Sequence, residues 1–176
     1  TSTDLELIRE DADQLVGMRF LLDAPPNVAI ASAYIQFTAD ETDTEATNLE
    51  VRVELEDDPP TFSSTHIIST RTLSDEAVAW SPQAWSSVGE SGEAQRTPEM
   101  QSLVQTIIDR PGWVRGNAIV FVISGTGKRV AESYDGSTSK APKLYYQASF
   151  PPSLPWPPMA PPSPPPPSPP PCPPGC

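Results

Sequence analysis

Apolar and charged residues alternate without a break from Leu49 to Leu55 (Leu-Glu-Val-Arg-Val-Glu-Leu). That pattern predicts a half-buried strand with Leu49, Val51, Val53 and Leu55 turned inward. Residues 33–38 alternate in the same way and turn Ile35 and Phe37 inward. Residues 14–22 predict another strand, built on Leu15, Val16, Met18, Phe20 and Leu22, and residues 5–9 a short edge strand. Residues 118–123 (Ala-Ile-Val-Phe-Val-Ile) are apolar on both faces and rich in β-branched side chains, as a central strand requires. Ser124-Gly-Thr-Gly127 then predicts a turn into a strand over 129–134. Residues 143–150, carrying Leu144, Tyr145, Tyr146 and Phe150, form a last strand that runs into proline. One segment has helical spacing. Thr97 stands as N-cap, Pro98 at the first helical position and Glu99 at the positive end of the dipole. Leu103, Val104, Ile107 and Ile108 follow, and Pro111-Gly112 ends the helix. The expectation is an all-β domain over residues 1–150, an antiparallel β-sandwich of jelly-roll type with one short covering helix.

Composition changes at residue 151. The last 26 residues hold 16 of the chain's 24 prolines and no charge, so residues 151–176 predict a separate tail. Proline fixes φ and lacks an N–H, which excludes helix and central strand and favours an extended polyproline II rod. At about 3.1 Å per residue such a tail reaches roughly 80 Å. A 150-residue body has a radius of gyration of only about 15 Å, so the tail is long enough to cross a neighbouring molecule. All of the formal net charge of −12 belongs to the body. An acidic surface repels nucleic-acid phosphates and anionic membranes, and neither is expected as a partner. No apolar stretch has the length of a membrane span. The chain opens on polar Thr1 with no visible leader, which fits a mature secreted protein and a cytosolic one equally.

Both cysteines, Cys172 and Cys176, lie in Cys-Pro-Pro-Gly-Cys at the end of the tail. A type II turn there would bring the sulfurs together; a disulfide within the tail, bridges between molecules and free thiols all remain open. A disulfide would place the protein outside the cytosol. Asn27, Asn48 and Asn117 all lack the downstream hydroxyl of an N-glycosylation site.

Catalytic readings find little purchase. Ser124-Gly-Thr-Gly-Lys128 has Val122 where a P-loop needs glycine and Arg129 where it needs a hydroxyl, so a β-turn accounts for it better. His66 lacks a cysteine nucleophile in the body and a Gly-x-Ser-x-Gly elbow, and reads as a loop or strand-edge residue. With 23 acids, some carboxylate pair will suit any glycosidase spacing, which singles out none. No enzyme is expected. Asp40, Glu41, Asp43 and Glu45 crowd one loop. Oxygen ligands between sandwich strands suit Ca²⁺, although the spacing is not that of an EF-hand; a solvated acidic loop is the alternative. Aromatic side chains stack on sugars and line grooves that hold polyproline. Trp113 follows the helix and is assigned to the core. Trp80 and Trp85 flank Pro82 in a loop-like segment and, with one of the adjacent Tyr145 and Tyr146, are expected to form an exposed aromatic groove. Trp156 has no core of its own and is a natural anchor for a pocket in another copy. With Pro151, Pro152, Pro155, Pro157 and Pro158 it forms the expected assembly segment.

Two resemblances refine this reading. Ala33-Tyr-Ile-Gln-Phe-Thr38, Ala46-Thr-Asn-Leu-Glu-Val51, Trp80, Trp85, Gln95-Arg-Thr-Pro-Glu99, residues 107–113, residues 116–123 and Arg129-Val-Ala-Glu-Ser-Tyr-Asp-Gly136 resemble a family of secreted β-sandwich modules. These modules are related to carbohydrate-binding domains of bacterial surface proteins and algal extracellular proteins. The resemblance covers about two thirds of the chain and implies a jelly roll working outside the cell. Ser-Pro-Pro-Pro-Pro-Ser-Pro-Pro-Pro (residues 163–171) resembles the hydroxyproline-rich glycoproteins of green algae and plants, of extensin or pherophorin type. That implies O-linked glycans on Ser163, Ser168 or hydroxylated Pro164, Pro165, Pro166, Pro167, Pro169 and Pro170. The Arg/Lys-rich sugar-binding surface of pherophorins has no counterpart here. The functional expectation is a structural subunit of an extracellular filament or wall fibre, docking its tail on other copies of itself. A carbohydrate-binding module with a glycosylated spacer is the alternative.

Overall fold

The computed structural model describes residues 3–9 and 14–149. They form antiparallel β-sheets with one α-helix among the described residues, an all-β sandwich. The alternation at 49–55 becomes β4 (Asn48–Val53), which buries Leu49, Val51 and Val53 and turns Glu50 and Arg52 outward. The apolar run becomes β6 (Ala118–Thr126), one of the two inner strands of a four-stranded sheet. It pairs with β2 (Val16–Leu21) on one side and β4 on the other, and Ile123 lies opposite both Val16 and Val51. β5 (Val78–Trp80) completes this sheet beyond β4.

The second layer is made of two strand pairs. β3 (Ala29–Gln36) pairs with β8 (Lys143–Ser149), and β1 (Asp4–Ile8) with β7 (Lys128–Glu132). The chain beyond β3 bridges β7 at Ala39 and Ala131 and so ties the pairs together. Ile35 and Phe37 from this layer share a core with Val51 and Phe121 from the other, all without solvent exposure. Each fully buried side chain of this size stabilises the fold by about 1.5–3 kcal/mol relative to exposure. Phe37 stacks on Trp80 across the core, with ring centres 5.5 Å apart.

The structure departs from the sequence expectation in three places. The helix α1 spans Gln101–Ile108 and buries Leu103, Val104, Ile107 and Ile108, as its spacing predicts, but it begins beyond Thr97, Pro98 and Glu99. Those three residues lie outside the helix, Thr97 and Glu99 bonded to the edge of β3, and Met100 occupies the N-cap position. β6 does not turn at Ser124; it runs on to Thr126, paired with Asn48. The reversal falls on Gly127, whose φ of 93° and whose approach to the Ala46 carbonyl leave no room for a Cβ. A strand follows, so Ser124–Lys128 lacks the helix a phosphate loop needs. Finally, Trp80 ends a strand rather than sitting in a loop.

Candidate functional site

The site is built where β3 lacks a second strand. Along that edge, side chains and backbone of residues 95–105 take the place of a partner. The Thr97 hydroxyl accepts the Ile35 N–H (3.0 Å), a Glu99 carboxylate oxygen accepts the Ala33 N–H (3.2 Å), and the Gln105 amide oxygen accepts the Ile30 N–H (2.8 Å). The Thr97 and Met100 amides donate back to the Ile35 and Ala33 carbonyls, so the edge has its hydrogen bonds despite lacking a regular ladder. Because this segment is irregular, it stands away from the end of β5. A cleft of about 510 Å³ opens between them, lined by Tyr34, Trp80, Gln83, Arg96, Pro98 and Glu99 among others.

Tyr34 is the outward neighbour of Ile35 on β3. Its ring stacks on that of Tyr145, directly opposite on β8, at 5.3 Å and 19°. The Arg96 guanidinium lies over the Tyr34 ring, 4.7 Å from its centre, a cation–π contact. Tyr145, Tyr34 and Arg96 thus form a continuous row leading into the cleft, with Tyr145 46% exposed at its outer end. The cleft combines ring faces and prolines with a guanidinium, a carboxamide and two carboxylates. It suits a ligand with flat apolar faces and carbonyl or hydroxyl acceptors.

The exposed aromatic groove expected from Trp80, Trp85, Tyr145 and Tyr146 needs correction. Trp85 is fully buried, and its indole N–H donates to the Ala94 carbonyl (3.0 Å). Its backbone exchanges two 2.9 Å hydrogen bonds with Asp43. Trp80 is only 4% exposed; it contributes to the cleft wall while stacking on Phe37. Polar neighbours such as Ser81, Gln83 and Ser86 hide their burial in the sequence; an indole whose single donor is satisfied packs as readily as Phe. Tyr145 faces outward. Tyr146 is half-buried, and desolvation raises its pKa. Trp113 lies in the core as expected, donating to the Ala24 carbonyl (3.0 Å). Tyr34 and Arg96 are the site residues that residue-type reasoning passes over. The signal was the alternation itself, because putting Ile35 and Phe37 inside puts Tyr34 outside.

The acidic loop does not converge on a point. Glu41 pairs with Lys128 (2.9 Å) and raises the lysine pKa through that hydrogen bond. Asp43 faces Arg129 (3.5 Å) and accepts the Glu45 N–H (2.7 Å), while Glu45 pairs with Arg9. Asp40 has its pKa raised by burial first and then by the charges of Glu132, Asp4 and Glu41, opposed by Lys140. Among the described residues no three acidic, histidine or cysteine side chains come together as a metal site; of the expected Ca²⁺ ligands Asp40, Glu41, Asp43 and Glu45, the last three each pair with a different cation. Arg129 is the anchor of this region. Its buried guanidinium donates to the carbonyls of Pro82, Gln83, Glu45 and Lys128 and to the Thr47 hydroxyl. Burial lowers its pKa, against the charges of Asp43 and Glu45. By holding Pro82 and Gln83 it fixes one wall of the cleft.

His66 is exposed in a tight turn, with Nδ1 3.2 Å from the Ser63 hydroxyl and 3.1 Å from that of Thr65. Beside it lies a smaller, polar hollow of about 350 Å³. Its wall is the buried Arg71–Glu54 ion pair (2.5 Å), with Phe62 beneath the guanidinium at 4.4 Å. The assembly segment 151–158, the glycosylation segment 163–170 and Cys172 and Cys176 lie outside the described residues. No protein-family model matches the chain, and no curated protein sequence matches it.

Proposed function

We propose that this chain is a structural subunit of an extracellular glycoprotein fibre, in which the jelly-roll sandwich is a bead and the polyproline II tail joins it to the next copy. One observation carries this reading: an uncharged segment with 16 prolines in 26 residues follows directly on an acidic body that bears the whole net charge of −12. Such a segment is stiff before it binds and loses little entropy on docking. Its prolines cannot donate to a strand ladder, so it joins subunits through ring and carbonyl contacts rather than by extending a sheet. A contact between unlike surfaces does not close on itself and propagates. The hydroxyproline-rich resemblance adds O-linked glycans on the serines and prolines of residues 163–170 and an oxidising surrounding for Cys172 and Cys176. The partners are other copies of the same chain, with no role for nucleic acid or membrane insertion.

Removing residues 151–176 tests the reading. The core cluster of the described residues runs from Leu5 to Ala148, and the truncated chain is expected to keep it. The expected result is a folded monomer by sedimentation and an absence of fibres in negative stain. Fibres with unchanged repeat in the truncation would refute the proposal.

The cleft favours one second reading, a carbohydrate-binding module with the tail as spacer, because ring faces flanked by Arg96, Gln83 and carboxylates suit sugar hydroxyls. Retention on wall polysaccharide that disappears in Tyr34→Ala and Arg96→Ala would support it. Trp80→Ala and Trp85→Ala are unsuitable for this test, because both rings are buried.

A further inference from the structure

Resting on the fibre reading, we infer that the cleft between Tyr34, Trp80, Gln83 and Arg96 seats the tail, and that its occupant is residues 151–158 (Pro-Pro-Ser-Leu-Pro-Trp-Pro-Pro) of a second copy of this chain.

The chemistries match. A proline-rich segment presents pyrrolidine faces and carbonyl acceptors and has few N–H groups to offer. Its seat therefore needs aromatic surface and side-chain donors. The row Tyr145–Tyr34–Arg96 supplies stacked rings and a guanidinium, and Gln83 adds a carboxamide across the cleft. Trp156 gives the segment one large anchor of the kind that dominates binding energy at small interfaces. The cleft's size falls in the range of about 300–1,000 Å³ found for small-ligand pockets, enough for a short run of side chains.

The charges agree as well. Arg96 already stands near Glu93, and Glu99 is engaged with the Ala33 N–H. An uncharged occupant leaves these pairings intact, whereas an acidic peptide would meet a body of net charge −12.

Direction decides between a chain's own cleft and that of a neighbour. β8 runs from Lys143, opposite Gln36, to Ser149, opposite Ala29. The cleft borders β3 at residues 33–36, where Arg96 bridges Gln36. The chain therefore leaves β8 heading away from its own cleft. Pro151 and Pro152 follow almost at once, and each biases the residue before it toward extended backbone, which favours continuing in the direction of β8. A second copy placed in line receives the segment without any reversal.

The test uses two full-length variants. Tyr34→Ala spoils the cleft and keeps the tail; Trp156→Asp spoils the tail and keeps the cleft. Each alone should associate about 30-fold or more weakly than the parent, as loss of a central aromatic anchor does. Mixed in equal amounts, they should form a pair that grows no further, seen by sedimentation velocity. Arg96→Glu, which leaves the Tyr34–Tyr145 stack in place, is the second cleft variant, and thermal midpoints confirm that each variant is folded. Parent-like assembly of both cleft variants, or folded variants that fail to pair when mixed, overturns the assignment. If the 151–176 truncation is monomeric while the cleft variants still form fibres, the cleft is wrong and the fibre reading stands. If the truncation itself forms fibres, the fibre reading falls. Polysaccharide retention lost in the cleft variants, with assembly unchanged, overturns the assignment in favour of a sugar ligand.

Discussion

The hydroxyl of Thr97 accepts the backbone N–H of Ile35 at 3.0 Å, and both residues are buried. The Thr97 N–H returns a bond to the Ile35 carbonyl, also at 3.0 Å. One residue thus supplies both an acceptor and a donor to a strand edge that has no regular neighbour. Thr97→Val keeps the shape and removes the acceptor, leaving the Ile35 N–H buried without a partner. The expected loss is about 1–3 kcal/mol in urea unfolding, with the far-ultraviolet helix signal unchanged. A loss of helix signal in the folded variant would show that Thr97 serves as a helix cap instead.

Trp85 tests the placement of the aromatic residues. Its ring is fully buried and its indole N–H is satisfied by Ala94. Trp85→Ala should cost about 3–5 kcal/mol, as truncation of a core aromatic does. A surface tryptophan would cost a few tenths at most, so a denaturation midpoint near that of the parent contradicts the structure.

Arg129 joins three segments that are remote in sequence through carbonyls of Glu45, Lys128, Pro82 and Gln83. Arg129→Met preserves length and apolar stem but leaves those acceptors, and Asp43, without their cation. Removing one member of a buried charged network costs about 3–5 kcal/mol. Unchanged stability in this variant would mean that the network is dispensable.

Asp40 supplies a pH dependence. Its folded-state pKa lies above the ordinary carboxylate value, chiefly through burial and then through Glu132, Asp4 and Glu41, with Lys140 opposing. The favourable contribution of its neutral form is therefore fully present in acid and is lost as pH rises through the raised value. Asp40→Asn keeps a neutral side chain at every pH. The variant should be more stable than the parent near neutrality and equal to it well below the carboxylate range. Urea midpoints at both conditions check this; an advantage that persists in acid would assign the effect to packing instead.

Strand alternation carried most of the fold. Leu49 to Val53, Ile35 with Phe37, and the apolar core of β6 all read correctly because burial on one or both faces writes directly into a period of two. The helix was legible in its buried stripe but not at its start. Thr, Pro and Glu satisfy a helix terminus and a bare strand edge with the same atoms, and only the tertiary neighbour decides which. β5 and the burial of Trp80 and Trp85 were hidden by short strand length and polar neighbours. Of the site, the adjacent Tyr145 and Tyr146 required one outward ring without showing which; the fold turns Tyr145 out. Tyr34 and Arg96 were not legible, since their meeting joins β3 to a segment some 60 residues later. The dispersal of the acidic loop onto Lys128, Arg129 and Arg9 depends likewise on which cations the fold brings near.

The opposite placement of the β8 exit and the aromatic hollow gives each molecule a front and a back. A thread of such molecules would be polar along its whole length, like an arrow repeated nose to nock. Its two tips would be chemically unlike, one offering a vacant hollow and the other an unbound arm, so lengthening would run at different speeds from each.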